Sequence, residues 1–462
     1  MKLAFCASEV FPFAKTGGLA DVAGALPLAL EKLGQEVVVV MPFYKCVQDG
    51  KFDLQRTTGG INYARIGKNI KVYFVANDAY FKRDWLYGTT HGDFPDNLDR
   101  FAYFCQQSLE IIKAVNFKPD ILHCHDWQTG LIPAYLKTKL AADPFYKNTK
   151  SLITIHNLGY QGLFEKGQFW MTGLEPKYFN PESFEFYGKI NLLKGGIAFS
   201  DVINTVSPTY SREIQSKELG FGLEGLLRKR REDVFGILNG LDYSVWDPAK
   251  DDFIAAKYSS GGLSAKAEDK AALQKISNLP VDKNIPLFGI VSRLAEQKGF
   301  DLLSSCLEEI CKNNLQLVIL GTGDLKYHKL LQQVATKFTK NLALFLKFDE
   351  SLAHKIYAGC DIFLMPSQYE PCGLGQLISL KYGSLPLVFK TGGLADTVNS
   401  DNGFVFTEYT PQALLESVDQ ALKLFSQADK WRLLQKNAML ADFSWEASAK
   451  GYIHLYEKAK KS

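Results

Sequence analysis

One acidic residue stands in a loop whose composition could stabilise a charged reaction centre. Glu370 lies within residues 366–376, which read Pro-Ser-Gln-Tyr-Glu-Pro-Cys-Gly-Leu-Gly-Gln, between a predicted strand and a predicted helix at 377–382. Gly373 and Gly375 allow backbone N–H groups to come close to a ligand. The start of a helix also presents free N–H groups and a positive dipole end, which suit a phosphate or an oxyanion. The alternative is an ordinary loop in which Glu370 only caps the helix.

Two cations follow another predicted strand. Arg293 and Lys298 lie five residues apart, just before a predicted helix that begins near Phe300. Arginine offers bidentate geometry and lysine a point charge, a combination that suits a diphosphate. A solvated basic pair is the alternative, although cations are disfavoured at the start of a helix. The sequence contains no D-x-D acidic pair, so we expect such a diphosphate to be neutralised without a metal ion.

A glycine-rich turn follows the first predicted strand. Residues 15–21 read Lys-Thr-Gly-Gly-Leu-Ala-Asp, and the same heptad recurs at 390–396. Gly17 and Gly18 could admit a phosphate to the backbone, and Lys15 could neutralise its charge. The motif is neither G-x-G-x-x-G nor a Walker loop, so a plain strand–helix turn is the alternative.

Polar residues also end two buried strands in the first half of the chain. His123, His125 and Asp126 lie where one strand enters a turn, and His156 follows the next strand. A zinc site usually needs four ligands, and no second cluster with ligand spacing is present. Because alternate residues of a strand face the same way, we expect His123 and His125 to line a cleft or to pack at the strand end.

The order of these segments predicts two doubly wound α/β domains, each with functional loops at the ends of its strands. Strand and helix patterns alternate up to about residue 240, are lost between 241 and 286, and then resume. We predict an N-terminal domain at 1–242, a C-terminal domain at 243–445, and a helix at 446–462 that packs on the first domain. If the strand ends of the two domains face each other, the cleft between them holds the ligand.

Composition excludes several classes of protein. The 462 residues carry 53 Lys and Arg against 50 Asp and Glu, a balance that disfavours a nucleic-acid partner. No apolar run reaches the length of a membrane span, and the N-terminus enters a strand pattern at once, without a signal-peptide pattern. The eight Cys contain no C-x-x-C pair. We therefore expect a cytoplasmic protein with reduced thiols and without a membrane or nucleic-acid partner.

The candidate residues named above belong to motifs that resemble those of the glycogen/starch synthase family, which uses ADP-glucose. The resemblance spans nearly the whole chain and is carried by residues 15–19, 95–101, 123–127, 156–162, 187–189, 194–196, 239–242 with 246, 292–299, 370–374 and 391–394. One position departs from the family pattern, because Gly375 stands where threonine or serine is expected. This departure removes a hydroxyl group from the start of the helix.

The resemblance implies a GT-B type glycosyltransferase with two Rossmann-like domains facing across a cleft. It would move glucose from ADP-glucose to the non-reducing end of an α-1,4-glucan such as glycogen, with retention of configuration. Arg293 and Lys298 would hold the leaving diphosphate, Glu370 would stabilise positive charge on the sugar, and His156 would hold the glucosyl unit. The residues implied to contact the nucleotide sugar are Lys15, Gly17, Gly18, Asn239, Cys372, Gly373, Leu374 and Thr391. Asp126 and Asp21 would lie on the acceptor side, and the resemblance implies no metal or other cofactor.

Three other functions stay open at this point. A glucan phosphorylase shares this architecture, but it needs pyridoxal phosphate and is usually far longer. A nicotinamide dehydrogenase is disfavoured because no strand is followed by G-x-G-x-x-G. A non-catalytic glucan-binding protein would tolerate the loss of Glu370, Arg293 and Lys298, yet all three are present. The sequence leaves open the oligomeric state, the choice between ADP and UDP, and the route to retention.

Overall fold

The computed structural model describes residues 1–89 and 91–461, and the chain divides into two compact units. The first unit comprises Met1–Gly240 and the C-terminal segment that begins at Trp445. The second unit is Leu241–Ser444. These boundaries lie within two residues of the ones predicted at 242 and 445.

The first unit is built on a nine-stranded sheet, with two small sheets beside it. Its strands are β1 (Lys2–Cys6), β2 (Glu36–Pro42), β3 (Gln55–Arg56), β4 (Asn62–Ile66), β5 (Ile70–Val75), β6 (Gly88–Thr89), β7 (Gly92–Asp93), β8 (Ile121–His125), β9 (Lys150–Ile155), β10 (Leu163–Glu165), β11 (Glu185–Phe186), β12 (Lys189–Asn191), β13 (Val202–Thr205) and β14 (Val234–Gly236). The large sheet has the order β14-β13-β9-β8-β1-β2-β5-β4-β3, in which only the pairs β3–β4 and β4–β5 are antiparallel. Apolar strands such as β2 are buried nearly throughout, as expected where helices cover both faces of a parallel sheet.

Eight α-helices accompany these strands among the described residues of Met1–Gly240. They are α1 (Gly18–Lys32), α2 (Lys45–Gln48), α3 (Asp78–Phe81), α4 (Asn97–Ala114), α5 (Leu131–Lys137), α6 (Leu192–Phe199), α7 (Pro208–Glu213) and α8 (Glu224–Lys229). Helix α1 buries Leu19, Val22 and Leu26 on one side, which is the three-to-four-residue spacing of an amphipathic helix. Packing of this face fixes the position of the glycine-rich turn from which the helix begins.

The second unit contains a six-stranded sheet in which all neighbouring strands are parallel. Its strands are β15 (Leu287–Val291), β16 (Gln316–Leu320), β17 (Leu342–Phe345), β18 (Ile362–Met365), β19 (Leu385–Phe389) and β20 (Phe404–Phe406). Its helices are α9 (Lys266–Ile276), α10 (Phe300–Lys312), α11 (Leu325–Lys337), α12 (Glu350–Gly359), α13 (Gly375–Lys381), α14 (Gly392–Thr397), α15 (Pro411–Phe425) and α16 (Ala428–Leu440). The order β17-β16-β15-β18-β19-β20 is that of a Rossmann fold, so the predicted doubly wound α/β class is confirmed.

Each large sheet has a point at which the strand order reverses direction. This point lies between β1 and β8 in the first unit and between β15 and β18 in the second. Ligands of doubly wound sheets bind outside the carboxyl ends of the strands at such a point. The loops that leave these strands carry Lys15 and Asp126 in the first unit, and Arg293 and Glu370 in the second.

The chain ends in helix α17 (Trp445–Lys461), which packs on the first unit against α1, β8 and β9. The hydroxyl of Tyr456 lies 2.9 Å from Nδ1 of His123, and Lys32 pairs with Glu446 at 3.0 Å. None of the helices within residues 1–89 and 91–461 combines the length and the apolar composition that a membrane span requires.

Candidate active site

A cavity of about 220 Å³ opens at the point of strand-order reversal in the second unit. We call it the switch-point cavity. Its walls come from the loops after β15 and β18, from the start of α13, and from side chains of α10 and α12. The lining includes Ser292, Arg293, Lys298, Tyr357, Ser367, Glu370, Gly373, Leu374 and Gly375. Five residues that the sequence predicts for the nucleotide-sugar site or for catalysis therefore share one cavity, namely Arg293, Lys298, Glu370, Gly373 and Leu374.

Glu370 is buried in the wall of this cavity, with only 6% of its surface exposed. Its Oε2 accepts hydrogen bonds from Nζ of Lys298 at 2.6 Å and from the hydroxyl of Ser367 at 3.2 Å. Helix α13 begins after Leu374 and has no side-chain cap. The carboxylate is therefore held by a lysine and a serine, and it does not cap the helix that follows.

The loop that carries the two cations is locked to the loop that carries Glu370. Gly299 has a φ of +78°, and a Cβ atom there would collide with the carbonyl oxygen of Pro366, so only glycine fits at this position. The backbone N–H of Gln368 also donates to the carbonyl of Gln297 at 3.0 Å. Because the two loops are joined on both sides of Lys298, its ammonium group is held beside the Glu370 carboxylate.

The two cations differ in their surroundings. Lys298 is mostly buried and uses one of its three N–H donors on Glu370. Arg293 is exposed, and its guanidinium group makes no hydrogen bond or ion pair with any residue that the structure describes. One cation therefore balances the buried acid, and the other is available to an anion that enters the cavity.

The backbone donors predicted beside Glu370 lie at the start of α13. This helix begins at Gly375, two residues earlier than the sequence predicts. The side-chain amide of Gln376 donates to the carbonyls of Cys372 and Gly373 at 2.9 and 3.0 Å, which fixes the loop, and Gly373 has a φ of +75°. Cys372 is buried and lies outside the cavity lining, so only its backbone could serve a ligand.

The unusual Gly375 has a steric explanation. A Cβ atom at this position would lie 3.1 Å from Phe363 and 3.2 Å from the sulfur of Met365. Both distances are shorter than ordinary van der Waals contact, so threonine or serine would force these neighbours to move. The hydroxyl of Tyr357 lies 3.4 Å from the same point, which leaves a hydroxyl group near the place where the family pattern has one.

The second copy of the glycine-rich heptad supports the Glu370 loop. Cβ atoms at Gly392 and Gly393 would collide with the carbonyl oxygens of Glu370 and Cys372, respectively. The N–H of Gly393 also donates to the carbonyl of Glu370 at 3.1 Å. Thr391, which directly precedes Gly392, is buried. This heptad therefore fixes the backbone of the catalytic candidate.

The first copy of the heptad is open, and its backbone donors are partly occupied. Cβ atoms at Gly17 or Gly18 would meet nothing within 4 Å. The carboxylate of Glu9 accepts hydrogen bonds from the backbone N–H and hydroxyl of Thr16 and from the N–H of Gly17 at 3.4 Å. Glu9 thus occupies a donor that the sequence offers to a phosphate.

Lys15 and Asp21, which the sequence places on the donor and acceptor sides, form one ion pair in this turn. Nζ of Lys15 lies 2.7 Å from Oδ1 of Asp21, and Lys15 is about half exposed. A phosphate that bound Lys15 would have to share it with this carboxylate.

Asp126 and His156 meet at the carboxyl ends of β8 and β9. Oδ1 of Asp126 accepts the backbone N–H of His156 at 2.7 Å, and Nε2 of His156 lies 2.9 Å from Nδ1 of His125. Burial raises the pKa of Asp126 to about 7 and lowers the pKa of His156 to about 3. Near neutral pH, His156 is therefore uncharged, and Asp126 changes its charge.

The histidine cluster does not have the geometry of a metal site. Both ring nitrogens of His123 are occupied, by the hydroxyl of Tyr456 at 2.9 Å and by that of Thr154 at 2.7 Å. Throughout the described chain, no group of three or more His, Cys, Asp or Glu side chains is arranged to hold a metal ion. His123 is a packing residue of the strand, which is one of the outcomes that the sequence predicts.

Asn239 follows β14 at the same edge of the sheet. It is buried, and its side-chain oxygen has no hydrogen-bond partner within the described residues. An unsatisfied buried polar atom costs about 1–3 kcal/mol. A ligand hydroxyl that reached this oxygen would remove that cost.

Two residues of these sites were missed by reasoning from the sequence. Ser367 and Glu9 hold other candidate residues in place. His125 is expected from the sequence to line a cleft or to pack, and the structure adds its contact with His156. The positions of the two missed residues gave a partial signal, because Ser367 precedes Glu370 in the same loop and Glu9 follows β1. What the sequence lacked was the partner of each side chain.

We predict that the stability of the protein depends on the titration of Asp126. Its folded pKa of about 7 lies above the ordinary pKa of 3.8 for an aspartate, so its contribution to stability is present at low pH and is lost as the pH rises through 7. Relative to Asp126→Asn, the free energy of unfolding of the wild type should fall by up to about 4 kcal/mol between pH 4 and pH 8. Urea titrations of both proteins measure this difference, and parallel pH curves would contradict the prediction.

Comparisons with known proteins identify the family of this chain. Residues 2–229 match the starch synthase catalytic domain, and residues 269–437 match glycosyl transferases group 1. The glycogen synthase of Geotalea daltonii is 49% identical over 476 residues, which cover 99% of this chain and 98% of that protein. Glycogen synthase 2 of Geobacter metallireducens is 47% identical over 475 residues, with 99% and 98% covered.

A solved structure shows the same fold. The catalytic domain of starch synthase IV from Arabidopsis thaliana, solved with bound ADP and acarbose, has a TM-score of 0.90 and 32% identity to this chain. The alignment covers 100% of this chain and 99% of that one.

Two Rossmann-like units with loop residues at the points of strand-order reversal define a glycosyltransferase of the GT-B type. Within that class, the chain belongs to the glycogen/starch synthase family. The fold, the family and the glycosyl-transfer activity that the motifs implied are thereby confirmed. The roles of the individual residues stay predictions.

Proposed function

We propose that this protein transfers glucose from ADP-glucose to the non-reducing 4-hydroxyl of an α-1,4-glucan, with retention of configuration. The relatives named glycogen synthase and the starch synthase bound to ADP support this donor and this type of acceptor. The observation that carries the proposal is the buried Lys298–Glu370 pair, which lies in the switch-point cavity of the second unit.

Arg293 and Lys298 bind the diphosphate of the donor in this proposal. Arg293 has no partner among the described residues, and Lys298 keeps N–H donors beyond the one given to Glu370. As the bond between the sugar and the phosphate breaks, negative charge accumulates on the leaving oxygen. Lys298 is fixed beside Glu370 in a partly buried cavity and stabilises that charge more strongly than water does, because it needs no reorganisation, and the exposed Arg293 adds a second cation.

Glu370 stabilises the positive charge that develops on the sugar ring. Its carboxylate is held in place by Lys298 and Ser367, so it is already oriented before the donor binds. A transition state with oxocarbenium character gains more from this charge than the neutral ground state does. The interaction therefore lowers the barrier and contributes little to donor affinity.

Retention proceeds on one face of the sugar in our proposal. Double displacement needs a second carboxylate about 5–5.5 Å from the first, and Glu370 is the one carboxylate among the described residues that line the cavity. The bond from C1 to the phosphate oxygen breaks while the bond from C1 to the acceptor oxygen forms. The proton of the acceptor hydroxyl passes to the leaving phosphate. His156 and Asn239 hold the glucosyl unit, and Asp126 lies near the acceptor.

We also place this activity in the cytoplasm. All eight cysteines are free thiols in the described structure, a state that the reducing cytoplasm maintains.

We predict that the reaction needs no metal ion. Arg293, Lys298 and the start of α13 provide the positive charge that a divalent cation would otherwise supply at the diphosphate. Initial rates measured with and without EDTA, and with added magnesium or manganese, should agree within about twofold. Activity that EDTA abolishes and magnesium restores would contradict this prediction.

The proposed function is tested by incubating the purified protein with glycogen and either ADP-glucose or UDP-glucose. Release of nucleoside diphosphate is measured with and without glycogen. The proposal predicts release that depends on glycogen and is faster with ADP-glucose. Phosphate-dependent breakdown of glycogen, or binding of glycogen without turnover, would point to one of the alternative functions.

A further inference from the structure

Three histidine rings stack at the carboxyl ends of β8 and β9. The centroid of the His125 ring lies 4.2 Å from that of His123 and 5.2 Å from that of His156. His125 is fully buried, and its Nε2 has no hydrogen-bond partner within the described residues. Its other nitrogen, Nδ1, lies 2.9 Å from Nε2 of His156. Nδ1 of His125 therefore contacts His156, and Nε2 has no partner among the described residues.

A hydrogen bond between two neutral imidazoles contains one proton, and there are two ways to place it. If His156 donates, His125 must carry its own proton on Nε2, where the N–H is buried and has no acceptor. If His125 donates from Nδ1, only a lone pair of Nε2 is left without a partner. Buried N–H groups without an acceptor are rarer in proteins than acceptors that lack a donor. The second arrangement is therefore favoured.

This arrangement determines which ring nitrogen of His156 carries the proton. Its Nε2 accepts from His125, so the neutral ring carries its proton on Nδ1. Nδ1 has no hydrogen-bond partner in the described part of the chain, and His156 is only partly buried. The N–H is thus available to a ligand oxygen. Burial lowers the pKa of both His125 and His156, which keeps both rings neutral at physiological pH.

We propose that His125 is a positioning residue that holds His156 in its Nδ1–H tautomer, so that His156 donates a hydrogen bond to an oxygen of the transferred sugar. This inference rests on the proposed function, in which His156 holds the glucosyl unit. In this inference, the hydrogen bond from His125 determines which nitrogen of His156 carries the proton. A hydroxyl or ring oxygen of the sugar is the group that such a donor recognises.

Two substitutions of His125 separate this role from simple packing. His125→Phe keeps the ring stack and removes the donor, whereas His125→Asn keeps an N–H at about the position of Nδ1. Loss of this hydrogen bond should lower kcat of His125→Phe by about tenfold, which corresponds to about 1.4 kcal/mol, with KM for glucan unchanged. His125→Asn should keep kcat within about threefold of wild type.

His123→Phe is the matched control, because it removes the neighbouring buried histidine without touching His156. It breaks the hydrogen bonds to Tyr456 and Thr154, so it should lower Tm as His125→Phe does. Its kcat should stay within about twofold of wild type. Equal losses of kcat in His123→Phe and His125→Phe would mean that the stack only supports the fold, and the proposal would be overturned.

The tautomer is read directly from long-range ¹H–¹⁵N correlation spectra of protein labelled at its seven histidines. The proposal predicts that His156 carries its proton on Nδ1 in the wild type and loses this preference in His125→Phe. A wild-type His156 protonated on Nε2 would overturn the proposal, whatever the kinetics show. A protein that transfers no glucose would instead overturn the proposed function, and the spectra would still decide between the two tautomers.

Discussion

Glu370→Gln lowers kcat by about two orders of magnitude or more, while the fold and the affinity for ADP-glucose stay close to wild type. Glutamine keeps an oxygen that accepts from Lys298 and Ser367, so the contacts that hold the side chain persist. It removes the negative charge that faces the developing positive charge of the sugar. An interaction of this kind acts in the transition state, so its loss appears in kcat and not in donor binding.

Thermal stability, donor titration and turnover should be measured on the same preparation of the Glu370 variant. Glu308→Gln is the matched control, because Glu308 forms a solvent-exposed ion pair with Lys337 in the same unit. The control should keep wild-type turnover. Normal turnover of Glu370→Gln would show that this acid has no role in transfer, and an unfolded variant would show that its role is structural.

The second large effect concerns the two cations. Arg293→Ala and Lys298→Ala should each lower kcat by about a hundredfold or more, with smaller changes in glucan affinity. Removing one preorganised donor from a developing anion typically costs about 3 kcal/mol in the transition state. Steady-state kinetics over a range of ADP-glucose and glucan concentrations measure this loss.

The two cation variants should differ in stability. Arg293 is exposed and without a described partner, so Arg293→Ala should keep the Tm of the wild type. Lys298→Ala leaves the buried Glu370 carboxylate without its cation, so it should lower the Tm. The double variant Lys298→Ala/Glu370→Gln should recover part of that loss, because no unpaired charge remains.

Lys326→Ala is the control for losing a positive charge near the loop but outside the cavity lining. Lys326 lies near the same loop and forms an exposed pair with Glu296, and such pairs contribute little. Its kcat should stay within about twofold of wild type. If Arg293→Ala or Lys298→Ala were equally mild, that residue would be an ordinary surface or structural cation.

Much of the fold could be predicted from the sequence because strand and helix patterns are local. The apolar run 361–365, the loop with Glu370 and the run 385–389 already define a strand–loop–helix–strand unit, and the structure places β18 and β19 there as parallel neighbours. The loops at strand ends identified Glu370 and the pair Arg293 and Lys298 separately, and the family resemblance assigned all three to one site. The helix after Glu370 was placed two residues too late, because its first turn begins with a glycine, a poor helix former.

The side-chain partners could not be predicted, because they join segments that are distant in the chain. Lys298 and Glu370 are 72 residues apart, and His123 and Tyr456 are 333 apart. The two identical heptads illustrate the same limit. In one, the glycines face open space; in the other, Gly392 and Gly393 pack against the backbone of the Glu370 loop. Identical residues acquire different tasks from their tertiary surroundings.

The proposed reaction moves glucose from ADP-glucose to an α-1,4-glucan with retention. It is tested most directly by following the reaction of ADP-glucose, ¹³C-labelled at C1 of the glucose, with a maltooligosaccharide by NMR. One ADP should be released for each glucosyl unit added, and every new signal should be that of an α-1,4-linkage at the non-reducing end. Release of free glucose, or formation of a β-linkage, would contradict it.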